Sequence, residues 1–491
     1  MKFQVFRNGQ PLEGFEVYGG YLFGTDGTGI RRSRIALEKG LIECHKPNTD
    51  SAGLALLWAV DGFGKVLLPT TFLPERERTY CLNVEIARAR LMQIINRREE
   101  WSLFDSGQEL EEISRDAQDL FVKSVQRIRD PVTASQLADR SLRRAMVLSE
   151  KLALAHAETL FRARKKAKAF GRGCLGCRVD LDRLRETEYL DKVAQLGGFA
   201  VVPTCWAQVE PSEGGYDFSK IDQAIDLLSA RRMILGAGPL LCFSPGEIPS
   251  WLTEGNVTFE KVREAAYQFV TQVVTRYTRK IHRWFVLGGL NAVNGLGFNA
   301  DQVREMTHAA TMAVKAVNSR AFRVIEVACP WGEYYATMAN TLAPVAYMDM
   351  IVQSGVGFEA FALQMRFGKD QSGLHVRDMM QIASLLDLFA LMGKPLYITA
   401  VEVPSTQAPG PFDAQVAGFW HKPWDPVRQA VWLEGLCAMA LGRPTVDAVV
   451  FEHLADREDS VITHSGLLTD KLEPKDSFRM IRRLREGILT N

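Results

Sequence analysis

With 491 residues, 47% hydrophobic and 24% charged, the chain is composed like a folded soluble protein and is long enough for two or three domains. Its 59 basic residues against 58 acidic ones leave a net charge of +1, so nothing electrostatic points to nucleic acid or an anionic membrane surface as a partner. The start, MKFQVFRNGQ, lacks the apolar core of a signal peptide, and no apolar run approaches the roughly 18 residues of a membrane span. A cytoplasmic location is therefore expected.

Residues 1–82 are short apolar or alternating runs (FQVF, LALLWAV, VLLPTTFL) broken by turn pairs such as NG, KG and DG. That density of turns predicts a small β-rich sandwich or barrel. GTDGTG at 24–29 lacks phosphate-loop spacing and a following Lys-Ser/Thr, and is expected to be a hairpin turn.

From residue 83 to 169 the period becomes helical. Ala87, Leu91, Ile94 and Ile95 share one face, and Leu110, Ile113, Ala117, Leu120 and Phe121 another. Asp130-Pro131 is a helix start signal, and the helix it opens carries Leu137, Ala145, Leu148 and Leu152. It ends in RARKKAK, read as a solvated helix end with its charge favourably placed. The apolar stripes need cover, either from a neighbouring domain or from a second copy of the chain, so a homo-oligomer through this segment is one expectation.

From residue 170 to 491 strand and helix alternate. Eight apolar runs, CLGCRVDL, FAVVPTCW, RMILGAGPLLCF, HRWFVLGG, FRVIEVACPW, FEAFALQM, KPLYITAVEV and VDAVVFEHL, have helical periodicity between most of them. The pattern implies an α/β fold, a closed (β/α)8 TIM barrel, and places any site at the C-terminal strand ends. Cys174 and Cys177 form the one close cysteine pair; with no second pair in metal-ligand spacing they are expected to be buried thiols, and neither metal nor cofactor is expected.

Several short motifs, in order, give this region an affiliation. VEPSEGGYDFSKID (209–222), IPSWL (248–252), KPLYITAVEVP (394–404) and GLLTDKLEPK (466–475) resemble the segments after strands two and three, strand seven, and the closing turn of glycoside hydrolase family 10, the xylanase family. The resemblance implies a retaining mechanism, with one carboxyl as acid/base and one as nucleophile about 5–5.5 Å apart. It also implies where those groups should stand. The acid/base that closes strand four matches Gly289 in WFVLGG, and the strand-seven nucleophile matches Ala400 in ITAVEV. No acidic residue occurs between Glu264 and Asp301 to replace the first. The strand-three histidine matches Ala237, the strand-six histidine Arg366, and the strand-eight tryptophan Glu452.

Two functional expectations follow. One is a pseudoenzyme: a barrel that binds carbohydrate or serves as an interaction scaffold, with Trp206, Gln364, Arg366, Glu402 and Trp424 as candidate ligand-binding residues. The other is an active glycoside hydrolase with a relocated pair drawn from Glu333, Glu402 and Glu452; Glu210, Glu326 and Asp456 also lie near the mouth, and Arg366 or His453 could instead hold such carboxylates in ion pairs. Because Gly289 and Ala400 would lack the two carboxylates, both are expected to border a cavity unless a neighbour fills it. Arg366 is expected within salt-bridge reach of Glu402 or another mouth carboxylate, since a buried guanidinium needs a partner.

Overall fold

Asn8-Gly9 and Lys39-Gly40 both take left-handed backbone (φ 51° and 76°, then 51° and 74°). Two such residues in succession make the tight turn whose twist matches a hairpin, and they join Phe6–Arg7 to Gln10–Pro11 and Arg34–Glu38 to Leu41–His45. The computed structural model describes residues 1–489 except 102–103, 256, 408–412 and 414. Its N-terminal region holds two four-stranded sheets. One comprises Lys2–Gln4, Arg34–Glu38, Leu41–His45 and Tyr80–Cys81; the other Tyr21–Phe23, Gly53–Val60, Gly64–Pro69 and a visitor, Phe419–Trp420, from a loop of the barrel. GTDGTG closes a hairpin, with Phe23 bridged to Gly29.

Three helices follow: α1 (Leu82–Glu100), α2 (Gly107–Gln126) and α3 (Pro131–Lys166). Asp130 caps α3 by accepting from the Thr133 amide at 3.3 Å, with Pro131 in the first turn where its missing N–H costs nothing. Ala138, Leu142, Ala145, Leu148 and Leu152 line the buried face of α3. That face packs on α1, α2 and two barrel helices, Met379–Ala390 and Pro426–Gly442. The barrel thus covers the stripe, the first of the two expected solutions. Each buried leucine contributes about 1.5–3 kcal/mol to that docking. The basic end of α3 is more than solvated charge. Arg164 donates to the carbonyls of Leu441, Arg443 and Val446 at 2.8–2.9 Å, tying the helix to the barrel.

The barrel strands are β1 (Leu175–Arg178), β2 (Phe199–Val202), β3 (Ile234–Ala237), β4 (Arg283–Gly288), β5 (Phe322–Val327), β6 (Ala360–Arg366), β7 (Leu396–Glu402) and β8 (Val446–Phe451), closed in that order with every pairing parallel. Their near-continuous apolar character follows from burial on both faces. Phe199, Phe285 and Tyr397 fill the interior with Val201, Val324 and Val450. Cys174 and Cys177 are buried thiols. Among the described residues, no helix is long and apolar enough to cross a membrane.

Candidate active site at the barrel mouth

A cavity of about 910 Å³ opens at the C-terminal strand ends. Arg178 reaches it from the end of β1, Cys205 and Cys242 from the segments after β2 and β3, Gly288 from β4, Arg366 from β6 and Glu452 from just past β8.

Beneath the mouth the chain builds a charge cluster. Arg178 donates to both oxygens of Glu452 at 2.7 and 2.9 Å and to Glu326 at 3.3 Å. Arg366 lies 2.8 Å from Glu402 and 3.3 Å from Glu452. Its Nε does not aim its proton at the Glu402 oxygen, so that contact is ionic rather than a hydrogen bond. Ser465 supplies Glu402 with a hydrogen bond at 2.9 Å. Glu326 and Glu402 are almost wholly buried. Burial favours the neutral acid and pushes Glu402 up to about 7, against the opposing pull of Arg366. For Glu452 burial acts the same way, but two guanidiniums outweigh it and hold the carboxyl down at about 2. Two arginines therefore serve three carboxyls, of which Glu402 is pushed towards its neutral acid, in a site built like a structural network.

The pairing of β6 with β7 explains why Glu402 meets Arg366. Gln364 pairs with Thr399, yet Arg366 pairs with Glu402, so two residues on one strand face three on the other. Ala400 sits in this bulge with φ +49°. Reading inward and outward positions by simple alternation does not carry through such a bulge.

Several expected residues lie elsewhere. Gly289 does not border the cavity: a Cβ there would meet the Ala328 Cβ at 2.6 Å, and its φ is +67°. Ala328 fills the space, and Ala400 is likewise 1% exposed and away from the cavity lining. Trp206 is not a platform at the mouth. It is buried, stacks on Phe269 with ring centroids 5.2 Å apart, and donates to Glu210 at 2.8 Å. Trp424 is buried against Trp432 rather than forming a lid. Glu333 is buried in an ion pair with Arg377 at 2.6 Å and does not line the cavity. Asp456 accepts from Lys475 at 2.7 Å, and Glu402 lies below the lining. Gln364, Arg366 and Glu452 do line it.

Among the charged lining residues that the sequence analysis did not single out are Arg178 and Glu247. Arg178 is the one charge in the apolar run of β1, which was its available signal. Glu247 sits in the SPGEIPSWL loop, has no ion pair among the described residues, and is pushed up by burial with Arg178 pulling the other way. Among the described residues no cluster of His, Cys, Asp and Glu could hold a metal ion.

Comparison with known proteins agrees with this architecture. The chain is 28% identical over 124 residues to endo-1,4-beta-xylanase D of Talaromyces funiculosus, which is 25% of this chain and 30% of that one. It is 26% identical over 125 residues to endo-1,4-beta-xylanase C of Phanerodontia chrysosporium, 25% and 31% of the two chains. The match thus spans under a third of these relatives. Among solved structures, xylanase 10B from Thermotoga petrophila RKU-1 in complex with xylobiose aligns with TM-score 0.50 and 15% identity over 64% of this chain and 94% of that one. A novel GH10 endoxylanase from a sugarcane soil metagenome aligns with TM-score 0.51 and 14% identity over 67% and 99%. At such identities these two establish the fold alone. The family model for glycosyl hydrolase family 10 matches residues 203–458, and the chain belongs to that family.

Proposed function

We propose that this family 10 barrel no longer hydrolyses xylan and instead holds a polar, carbohydrate-sized ligand in the mouth cavity. The observation that carries the proposal is the cluster of Arg178 and Arg366 with Glu326, Glu402 and Glu452. A retaining glycosidase needs two carboxylates free to approach opposite sides of one glycosidic bond. By the motif resemblance those groups would fall at Gly289 and Ala400, both off the cavity, and Glu326, Glu402 and Glu452 are held in ion pairs. The cavity keeps the size of a ligand site and a mixture of amide, hydroxyl and charged groups suited to a polyhydroxylated ligand. The test is calorimetric titration with xylotetraose and a panel of other oligosaccharides. The proposal expects saturable binding of at least one member with no product formed; it fails if none binds.

One observation favours the second reading, hydrolysis by a relocated pair. Glu247 lines the cavity, carries no ion pair among the described residues and is pushed towards its acid form, while Glu452 is held as the anion. Opposed environments of this kind mark acid and base in working glycosidases. Against it, both Glu452 oxygens already accept from Arg178. Hydrolysis that Glu247→Gln abolishes would establish this reading over the first.

A further inference from the structure

Two stretches of backbone wall the cavity on one side. Tyr334, Met338 and Thr341 line it from the segment after β5, and Lys369, Gln371 and Leu374 from the segment after β6. Neither stretch is held by the barrel alone. Arg31, from the N-terminal β region, lies over the Tyr335 ring at 4.0 Å, donates to the Tyr335 carbonyl at 3.3 Å and to the Thr341 carbonyl at 2.7 Å. Gly29 comes so near that a Cβ would stand 3.0 Å from Ala336. On the second stretch, the Leu67 amide donates to the Val376 carbonyl at 3.0 Å, and Gln381 donates back to the Leu67 carbonyl at 2.8 Å. Gly19 packs against the His375 ring. The two stretches are joined by the buried Arg377–Glu333 pair at 2.6 Å, and the N-terminal strand that carries Tyr21 packs against the Glu333–Ala336 turn beside it.

We propose that the N-terminal β region is a working part of the ligand site: Arg31 and Tyr21 are positioning residues that brace both walls of the mouth cavity and so set its shape and selectivity. None of the N-terminal residues lines the cavity, so the effect runs through Thr341, Arg377 and Glu333. An added module that grips two loops at once fixes them with fewer backbone states than either would hold alone, which lowers the ordering cost of binding. Only the final step, to ligand selectivity, rests on the mouth being the ligand site.

Cys329 reports on the bracing without any ligand. It lines the cavity at the junction of the two walls, its sulfur packed against Gly373 so closely that a Cβ there would lie 2.5 Å away. Cys205 and Cys242 line the opposite side and serve as internal controls. The experiment is timed iodoacetamide labelling of the full chain, read per cysteine by mass spectrometry, for the parent, Arg31→Ala, Arg31→Lys and Tyr21→Phe. Losing a charge-assisted hydrogen bond and a cation–π contact should raise wall opening about tenfold. The expected result is Cys329 labelling faster by about that factor in Arg31→Ala, by less in Arg31→Lys and Tyr21→Phe, with Cys205 and Cys242 unchanged. Equal rates at Cys329 in all four proteins overturn the proposal. So does acceleration at all three cysteines together, which signals general loosening. Titration of the same variants with xylotetraose separates the two readings: faster Cys329 labelling with no binding to any of the proteins sinks xylo-oligosaccharide as the ligand while the bracing stands.

Discussion

Replacing Arg178 with methionine removes the cation that the mouth cluster depends on most. Its guanidinium serves both oxygens of Glu452 and one of Glu326, the latter wholly buried. Methionine keeps an unbranched apolar stem without the guanidinium and leaves the carboxyls to share Arg366. Breaking a buried ion pair by deleting one partner costs about 3–5 kcal/mol. Unfolding entropy of about 2.1 cal/mol/K per residue, over the roughly 320 residues of the barrel region, gives about 0.7 kcal/mol/K, so Tm should fall by about 4–7 °C. The pH dependence carries its own sign. Glu452 is held at about 2, below its ordinary value of 4.5, so its stabilising contribution is complete above 4.5 and is lost as pH falls through about 2. In Arg178→Met that depression is largely gone, and burial pushes Glu326 and Glu452 upward until they take up protons in weak acid. The deficit should therefore be larger near pH 8 than near pH 5. Scanning fluorimetry at both values measures it. A Tm within about 1 °C of the parent near pH 8, or a larger loss near pH 5, refutes the view that Arg178 neutralises these carboxylates.

Placing acidic groups at the two matched positions should not create a xylanase: Gly289→Glu puts a side chain on left-handed backbone, costing about 1–2 kcal/mol, and drives it into Ala328, while Ala400→Glu puts a carboxyl at a buried position off the cavity. Measurable hydrolysis of xylotetraose by that double variant contradicts this. Glu402 has a folded value near 7 against an ordinary 4.5, so its favourable contribution holds below 4.5 and fades as pH rises through 7. Glu402→Gln should accordingly flatten the fall in Tm between about pH 5 and 8, and an unchanged slope counts against the assignment. Trp424→Ala should cost about 3–5 kcal/mol of stability through the cavity it opens beside Trp432, without altering ligand affinity. Weakened binding at unchanged stability would return Trp424 to the ligand site.

The barrel was legible because each of its strands is buried on both faces and so reads as an apolar run bounded by helical periodicity. The Arg366–Glu402 contact was legible for a related reason: neighbouring parallel strands bring their ends together, and a buried guanidinium needs an acid. Orientation was not legible. Whether Trp206 faces the mouth or Phe269 depends on how the helix Phe259–Tyr277 packs, and no local pattern encodes that. The bulge at Ala400 likewise depends on the register of β7 against β6, set across strands rather than along one. Arg178 and Glu247 lie outside the carboxylate positions that the family resemblance marks: one comes from the end of β1, the other from the loop after β3.

Release of reducing sugar from xylan and of aglycone from an aryl xylobioside, by the parent and by a Glu247→Gln, Glu402→Gln, Glu452→Gln variant, addresses the loss of hydrolysis directly. Parent and variant should be alike, at the level of buffer alone. Turnover by the parent that the variant loses would contradict it and show that the mouth carboxylates still cleave glycosidic bonds.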